Sequence, residues 1–259
     1  MLKNRIGRAI PYPLIAAGRR AIHAGRNRCP VCHGRYRRLF DSGYGHDVLE
    51  RLQVVGGMRR GADRCPLCHA TARERLIAFW LDRARLPDAP RIAHFAPEKG
   101  LTKRLRAISP RYRAYDAEPA RYRHLPDVDH ADLCALHMDT ASTDLVICNH
   151  VLEHVPDADL AMRELFRILA SGGIAILQVP IALNLEHTIE LGVESSAGQR
   201  IEKLGQDDHL RLFSRGDYLS RLGDAGFDVE QYRAFDHAPE AATRWLLDPF
   251  ETLFVCRRR

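Results

Sequence analysis

From Arg91 onward, short apolar runs alternate with stretches whose apolar residues repeat every three or four positions. That alternation predicts strand, helix, strand, helix, and so a parallel α/β sheet covered by helices. Candidate strands are Arg91–Phe95, Tyr112–Asp116, Val128–Ala131, Asp144–Cys148 and Gly173–Val179, with a final pair at Phe227–Tyr232 and Thr252–Cys256. The clearest unit begins at Asp144. Leu145 to Cys148 is continuously apolar, as in a strand buried on both faces. Asn149, His150, Glu153 and His154 then follow at its carboxyl end, where open α/β sheets bind their ligands. Met162, Leu165, Phe166 and Leu169 form the buried stripe of the next helix, and Gly172 supplies a left-handed turn after it. Upstream, Ile77, Trp80, Leu81 and Ala84 mark an amphipathic helix over Arg73–Arg85, which Pro87 and Pro90 end.

The 259 residues, 46% of them apolar, suffice for one sizeable core and a small satellite module. No apolar run approaches the roughly 20 residues needed to span a bilayer. Ala9–Ala17 is interrupted by Pro11 and Pro13 and makes a poor signal-peptide core, while the absence of Ser and Thr from residues 1–40 argues against a transit peptide. A soluble cytoplasmic protein is expected, peripheral at a membrane surface at most. The net charge of +6 is unevenly spread. Residues 1–40 hold ten Lys/Arg and no Asp/Glu, so the remainder sums to 6 − 10 = −4. Residues 1–40 are a candidate polyanion contact, for nucleic acid, anionic lipid or an acidic partner. The plain alternative is a solvated basic helix. The expected organisation is a basic arm at 1–26, a cysteine module at 27–70, a connecting helix and linker at 71–90 and the α/β domain at 91–259.

Four of the seven cysteines form two matched knuckles, Cys29-Pro-Val-Cys32-His and Cys65-Pro-Leu-Cys68-His. Each C-x-x-C offers two corners of a tetrahedron, and the pair predicts one structural zinc site in a ribbon-like module. Arg35–Phe40 and Arg51–Val55 are its candidate strands. Disulfides would need an oxidising compartment, and a redox motif would not be expected twice with the same flanks. His33 and His69 are read as exposed or supporting residues. Cys134, Cys148 and Cys256 are read as inert core thiols.

The wording D-L-V-x-x-x-x-V-L-E-H-V at 144–155, followed by L-x-x-G-G at 169–173, resembles the second half of class I S-adenosylmethionine-dependent methyltransferases of the ubiquinone-biosynthesis-like, type 11 kind. His94-Phe-Ala-Pro-Glu98 joined to a C-P-x-C pair is similar to a bacterial group of methyltransferase-like proteins, over about residues 27–230. The resemblance implies a Rossmann-like, seven-stranded, mostly parallel sheet with helices on both faces and the final strand pair as its reversed edge. It also implies S-adenosylmethionine across the ends of the first four strands. Asp116 falls on the ribose position, Asp132 and Leu133 on the adenine position, and Asn149 and His150 beside the methionyl part. The first loop departs from the family pattern. His94 stands where an acid is usual and Ala96 where the first glycine is, while Gly100 remains. Either Glu98 replaces the missing carboxylate or Pro97 fixes a different turn. Plain readings stand beside these: Asp116 as a cap, Asp132 as a loop carboxylate, Glu98 in a first helical turn, and His154 packed inside.

The resemblance further implies transfer of a methyl group to an O or N nucleophile. Positioning supplies most of such catalysis, and a general base helps where the nucleophile carries a proton. His209 is the first candidate base, with Asp207 and Asp208 expected to raise its pKa, and His150 is second. Ala182–Gln206 reads as a lid. Without an N-P-P-Y-like motif or a Pro-Cys nucleophile, flipped bases and cytosine C5 are disfavoured acceptors. A small molecule, glycan or lipid-linked precursor is favoured, with a macromolecular group retained. The alternative is a non-catalytic scaffold whose zinc ribbon and arm bind RNA, membrane or protein.

Overall fold

The computed structural model describes residues 25–122, 125 and 127–259. Most of the basic arm therefore lies outside the described residues. The α/β alternation forms a seven-stranded sheet: β1 (Ile92–Phe95), β2 (Tyr112–Asp116), β3 (Val128–His130), β4 (Thr143–Asn149), β5 (Leu169–Gln178), β6 (Asp228–Tyr232) and β7 (Leu253–Arg257). Their spatial order is β6-β7-β5-β4-β1-β2-β3. β7 pairs antiparallel with both β5 and β6, so it alone is reversed, and it sits inside the sheet with β6 as the edge.

β5 begins earlier than the sequence suggested. The helix Ala158–Ile168 passes directly into it at Leu169. Gly172 is left-handed (φ 75°), but in an irregular stretch within β5, where its N–H donates to Arg258.

Strand alternation divides the core. Val146 and Cys148 face the helices Ala158–Ile168 and Arg215–Asp224. Leu145 and Ile147 face a second cluster that also contains Cys29, Cys65, Cys68 and the helix Ala72–Leu81. The cysteine module and the sheet thus share one core. The helix Ala72–Leu81 is buried almost all round rather than along one stripe. Arg75 is 2% exposed and spends its guanidinium on the Asp63 carboxylate and on the carbonyls of Asp63, Ala70 and Leu246. Glu74 closes a capping box with Thr71.

The strands expected in the cysteine module are rearranged. Arg35–Tyr36 pairs with Asn27–Arg28 around the first knuckle, and Phe40–Ser42 pairs with Arg60–Arg64. Val54–Val55 leaves the module and adds antiparallel to Ile181–Ala182. That strand belongs to a four-stranded sheet with Arg211–Ser214 and Ile189–Glu190. The apolar pattern of 51–55 was legible, but its partner lies far along the chain and left no local mark. The 182–206 insertion is consequently a packed clasp and not a free lid: Val48, Leu49, Val54, Ala182, Leu204 and Leu212 form their own buried cluster. Among the described residues, no helix is long and apolar enough to cross a membrane.

Candidate active site

A cleft of about 530 Å³ opens at the carboxyl ends of β1 to β4. Phe95, Ala96, Asp116, Asp132, Leu133 and His150 line it. Asp116 ends β2, with Oδ1 accepting from the Glu118 N–H (2.7 Å) and Oδ2 from the Tyr122 hydroxyl (2.8 Å). Asp132 Oδ1 accepts from the Cys134 N–H (2.8 Å). A carboxylate has about four acceptor sites, so both acids keep capacity for a ligand. Ala96 adopts φ 50°, the left-handed conformation a glycine takes at low cost. The turn therefore keeps its shape although the glycine is gone.

The remaining loop residues sit behind that cleft. His94 is fully buried, with Nδ1 3.0 Å from the Tyr112 hydroxyl and Nε2 2.6 Å from Glu98 Oε2. Glu98 Oε1 accepts from Asn149 Nδ2 at 2.9 Å. Burial opposes the charge on Glu98, but the His94 hydrogen bond and the charges of His94 and Arg73 outweigh it and hold the carboxyl below its usual range. The acid missing from the end of β1 thus reappears four residues on, gripped by the histidine that replaced it. Gly100 turns toward the cysteine module, where a Cβ would stand 3.2 Å from Ala70 Cβ.

A second cleft, of about 470 Å³, lies between the cysteine module and the sheet. Asp41, Tyr44, Gly56 and Arg73 come from the N-terminal side, and Glu153, His209 and Glu251 from the α/β side. His150 and His154 line both clefts, so the two meet there. His150 is itself left-handed (φ 51°), and Gly56 packs on its ring.

At this junction Glu153 is 1% exposed, and neither carboxylate oxygen has a hydrogen-bond partner, although Oε1 lies 3.4 Å from His150 Nδ1 and 3.9 Å from His154 Nε2. Burial pushes its pKa up to about 7. His209, 1% exposed with Nδ1 unpartnered, stacks edge-on against His154 at 4.7 Å. The expected rise in its pKa is overturned: burial and the His154 charge drive it down to about 3, against a weaker opposing effect of Asp207. Asp208 instead faces His154. Donor atoms of Glu153, His154 and His209 lie within 4.8 Å of one another, a spacing that a cation could also use. Glu153 and Arg73 were not singled out as site residues. The first stood in plain view within Val-Leu-Glu-His-Val, while the second gave no local signal.

The knuckle cysteines converge. Cys29 and Cys68 Sγ are 3.8 Å apart, Cys32 and Cys65 Sγ are 4.0 Å apart, and all four lie within 4.8 Å. Zn–S bonds of about 2.3 Å in a tetrahedron give S···S edges of about 3.8 Å. Both knuckles have the same backbone, with His33 and His69 left-handed, exposed and donating N–H to Cys29 and Cys65. They are exposed, as expected, and lie outside the four-cysteine cluster.

A family profile for the methyltransferase domain matches residues 23–232. The chain belongs to the class I S-adenosylmethionine-dependent methyltransferase family. It is 28% identical over 126 residues to a ubiquinone biosynthesis O-methyltransferase of Psychrobacter arcticus, covering 49% of this chain and 47% of that protein. It is 29% identical over 111 residues to a probable S-adenosylmethionine-dependent methyltransferase of Mycolicibacterium smegmatis, covering 43% and 38%. The chain thus matches less than half the length of these curated relatives. An S-adenosylmethionine-dependent methyltransferase structure from Mesorhizobium loti is similar at 20% identity and a TM-score of 0.45, covering 70% of this chain and 98% of that one.

Proposed function

We propose that this methyltransferase-family protein binds S-adenosylmethionine in the strand-end cleft and methylates an O or N nucleophile held in the intermodule cleft. Support for the cofactor comes from the donor set. Asp116 offers acceptors to the ribose and Asp132 to the adenine amine, with Leu133 beside it. Glu98 and Asn149, whose Oδ1 is buried without a partner, suit the methionyl ammonium. Arg73, which lines the intermodule cleft, has neither an ion pair nor a hydrogen bond among the described residues, which suits an anionic group of the acceptor. When bound, the cofactor supplies an electrophilic sulfonium methyl. This chain's residues orient the nucleophile, exclude water and take its proton.

Glu153 is the single observation that carries the reading. A buried carboxyl with no hydrogen bond, faced only by the His150 and His154 rings, costs stability, and a scaffold has no use for that cost where two clefts meet. With a pKa near 7, Glu153 is suited to accept a proton at neutral pH. His209, held neutral, lines the same cleft and orients the acceptor. This moves the base from His209 to Glu153. The four cysteines hold a structural zinc. The test is transfer of label from methyl-labelled S-adenosylmethionine to cell extract by wild type and Glu153→Gln, beside calorimetry with S-adenosylhomocysteine. Label transfer lost with cofactor affinity kept is expected. Equal transfer by both proteins would remove Glu153 from the chemistry.

A further inference from the structure

The first hairpin of the cysteine module carries positive charge that the fold leaves without an ion pair, although Arg28 Nε donates to the His33 carbonyl at 3.1 Å. In the pairing of Asn27–Arg28 with Arg35–Tyr36, Arg28 stands directly opposite Arg35. Like charges so placed destabilise a strand pair. Arg26, Arg28, Arg35, Arg37 and Arg38 are all exposed, and none has an ion pair among the described residues. Residues 25–40 contain no acid to offset them. The next acid, Asp41, is bonded to Arg59 at 3.1 Å and feels Arg38 only through its charge.

Three further features narrow the partner. The cations are all arginine, whose planar fork fits phosphate oxygens in pairs. The knuckle closes the hairpin through Cys29 N–H to Gly34 and His33 N–H to Cys29, so the charges are presented on a fixed frame. Beside them Phe40 and Tyr44 are 37% and 50% exposed, and the segment 25–64 exposes no large aliphatic side chain. Exposed rings next to arginines suit the stacking of unpaired bases. A bilayer surface would use the same charges but favours apolar residues that can insert.

We propose that the arginine face of this hairpin docks single-stranded nucleic acid. Asp41, Ser42 and Tyr44 line the intermodule cleft. Two residues of chain separate Arg38 from Asp41, a span of three steps and at most ~11 Å. A docked strand therefore lies beside that cleft and presents a nucleotide to it. This last step rests on reading the cleft as the acceptor site; the docking does not.

The test uses the full chain with a fluorescently labelled single-stranded RNA of mixed sequence, and anisotropy read from low to physiological salt. The variant Arg28→Ser/Arg35→Ser/Arg37→Ser/Arg38→Ser is compared with wild type, and Arg37→Ser/Arg38→Ser, outside the paired strands, guards against misfolding. Each phosphate contact contributes about 0.7 to the slope of log affinity against log salt on single strands. Four lost contacts should flatten that slope by up to about 2.8 and weaken low-salt binding at least tenfold. The double variant should fall between. Retained S-adenosylhomocysteine affinity shows that the fold is kept. Unchanged affinity and slope in both variants would overturn the proposal. So would binding to phosphatidylglycerol vesicles without binding to RNA. Failure of wild type to bind S-adenosylhomocysteine would count against the cofactor reading, and leaves the RNA measurement to decide this one.

Discussion

The two clefts that meet at His150 and His154 are similar in size but differ in how fully their charged groups are satisfied. In the strand-end cleft the acids are held: Asp116 takes two hydrogen bonds and Asp132 one. In the intermodule cleft Asp41 and Asp63 are also held, by Arg59 and Arg75, but Glu153 and Arg73 have no hydrogen bond, and Glu251 holds one oxygen on Gln178 while burial pushes its pKa up to about 7. A carboxylate fixed by donors is an acceptor set for a ligand of known shape. A buried carboxyl without donors is poised to exchange a proton. One cleft is preorganised to bind, and the other keeps Glu153 and Arg73 unsatisfied where a second reactant would complete them.

The largest effect belongs to what joins the clefts. Structural zinc in peptides is worth about 10–16 kcal/mol, as much as a whole domain's stability. Cys65→Ser should therefore lose the metal and unfold the module together with the helix Ala72–Leu81 that packs on it. Elemental analysis and thermal unfolding check this. A zinc-free variant with unchanged melting would mean that the intermodule cleft needs no metal to stand.

Next comes the proton. Glu153→Gln should lower turnover by about 10²–10⁴ with cofactor affinity nearly unchanged, whereas His209→Gln should cost less. The pH profile separates them further. A Glu153 base makes kcat/KM rise with pH through about 7, while a His209 base would place that limb near 3. Stability should show the same carboxyl. Its folded pKa lies above the unfolded value, so its burial costs nothing below about pH 4, where both states are protonated. The cost grows as pH rises to about 7, to an upper bound of roughly 3 kcal/mol. Glu153→Gln should thus gain stability over wild type as pH rises from 4 to 8. A difference flat with pH would place Glu153 outside the titrating set.

On the binding side, Asp116→Ala removes two acceptors, each worth roughly 1.5–3 kcal/mol to a charged group. Affinity for S-adenosylhomocysteine should fall at least about tenfold, and calorimetry reads it directly. Unchanged affinity would leave the held acids without a ligand and erase the contrast between the clefts.

The strand-end cleft was largely legible because each of its residues follows a strand in the chain, so Asp116, Asp132 and His150 could be placed from periodicity and motif. The convergence of the four knuckle cysteines was legible from spacing alone. The second cleft was not, because segments near 41–73, 150–154, 206–209 and 251 meet only through tertiary packing. His209 was found for its neighbours in sequence, yet burial and His154 decide its chemistry. Even the clasp of Val54–Val55 on Ile181–Ala182 depends on a pairing across more than a hundred residues.

The smallest expected effect bears most directly on where one cleft ends and the other begins. Gly56 follows that clasp at φ 83°, and a Cβ there would stand 3.2 Å from His150 Cε1 and 3.3 Å from Nε2. Gly56→Ala therefore adds backbone strain of order 1–3 kcal/mol and crowds the ring that both clefts share. One kcal/mol lowers the melting temperature of a chain this size by about 2–4 °C, so the fold should survive. If His150 serves mainly to orient the acceptor, methyl transfer should fall several-fold while S-adenosylhomocysteine affinity moves little. If affinity and transfer fall together, His150 belongs to the cofactor's wall, and the boundary between the clefts shifts to His154 and Glu153.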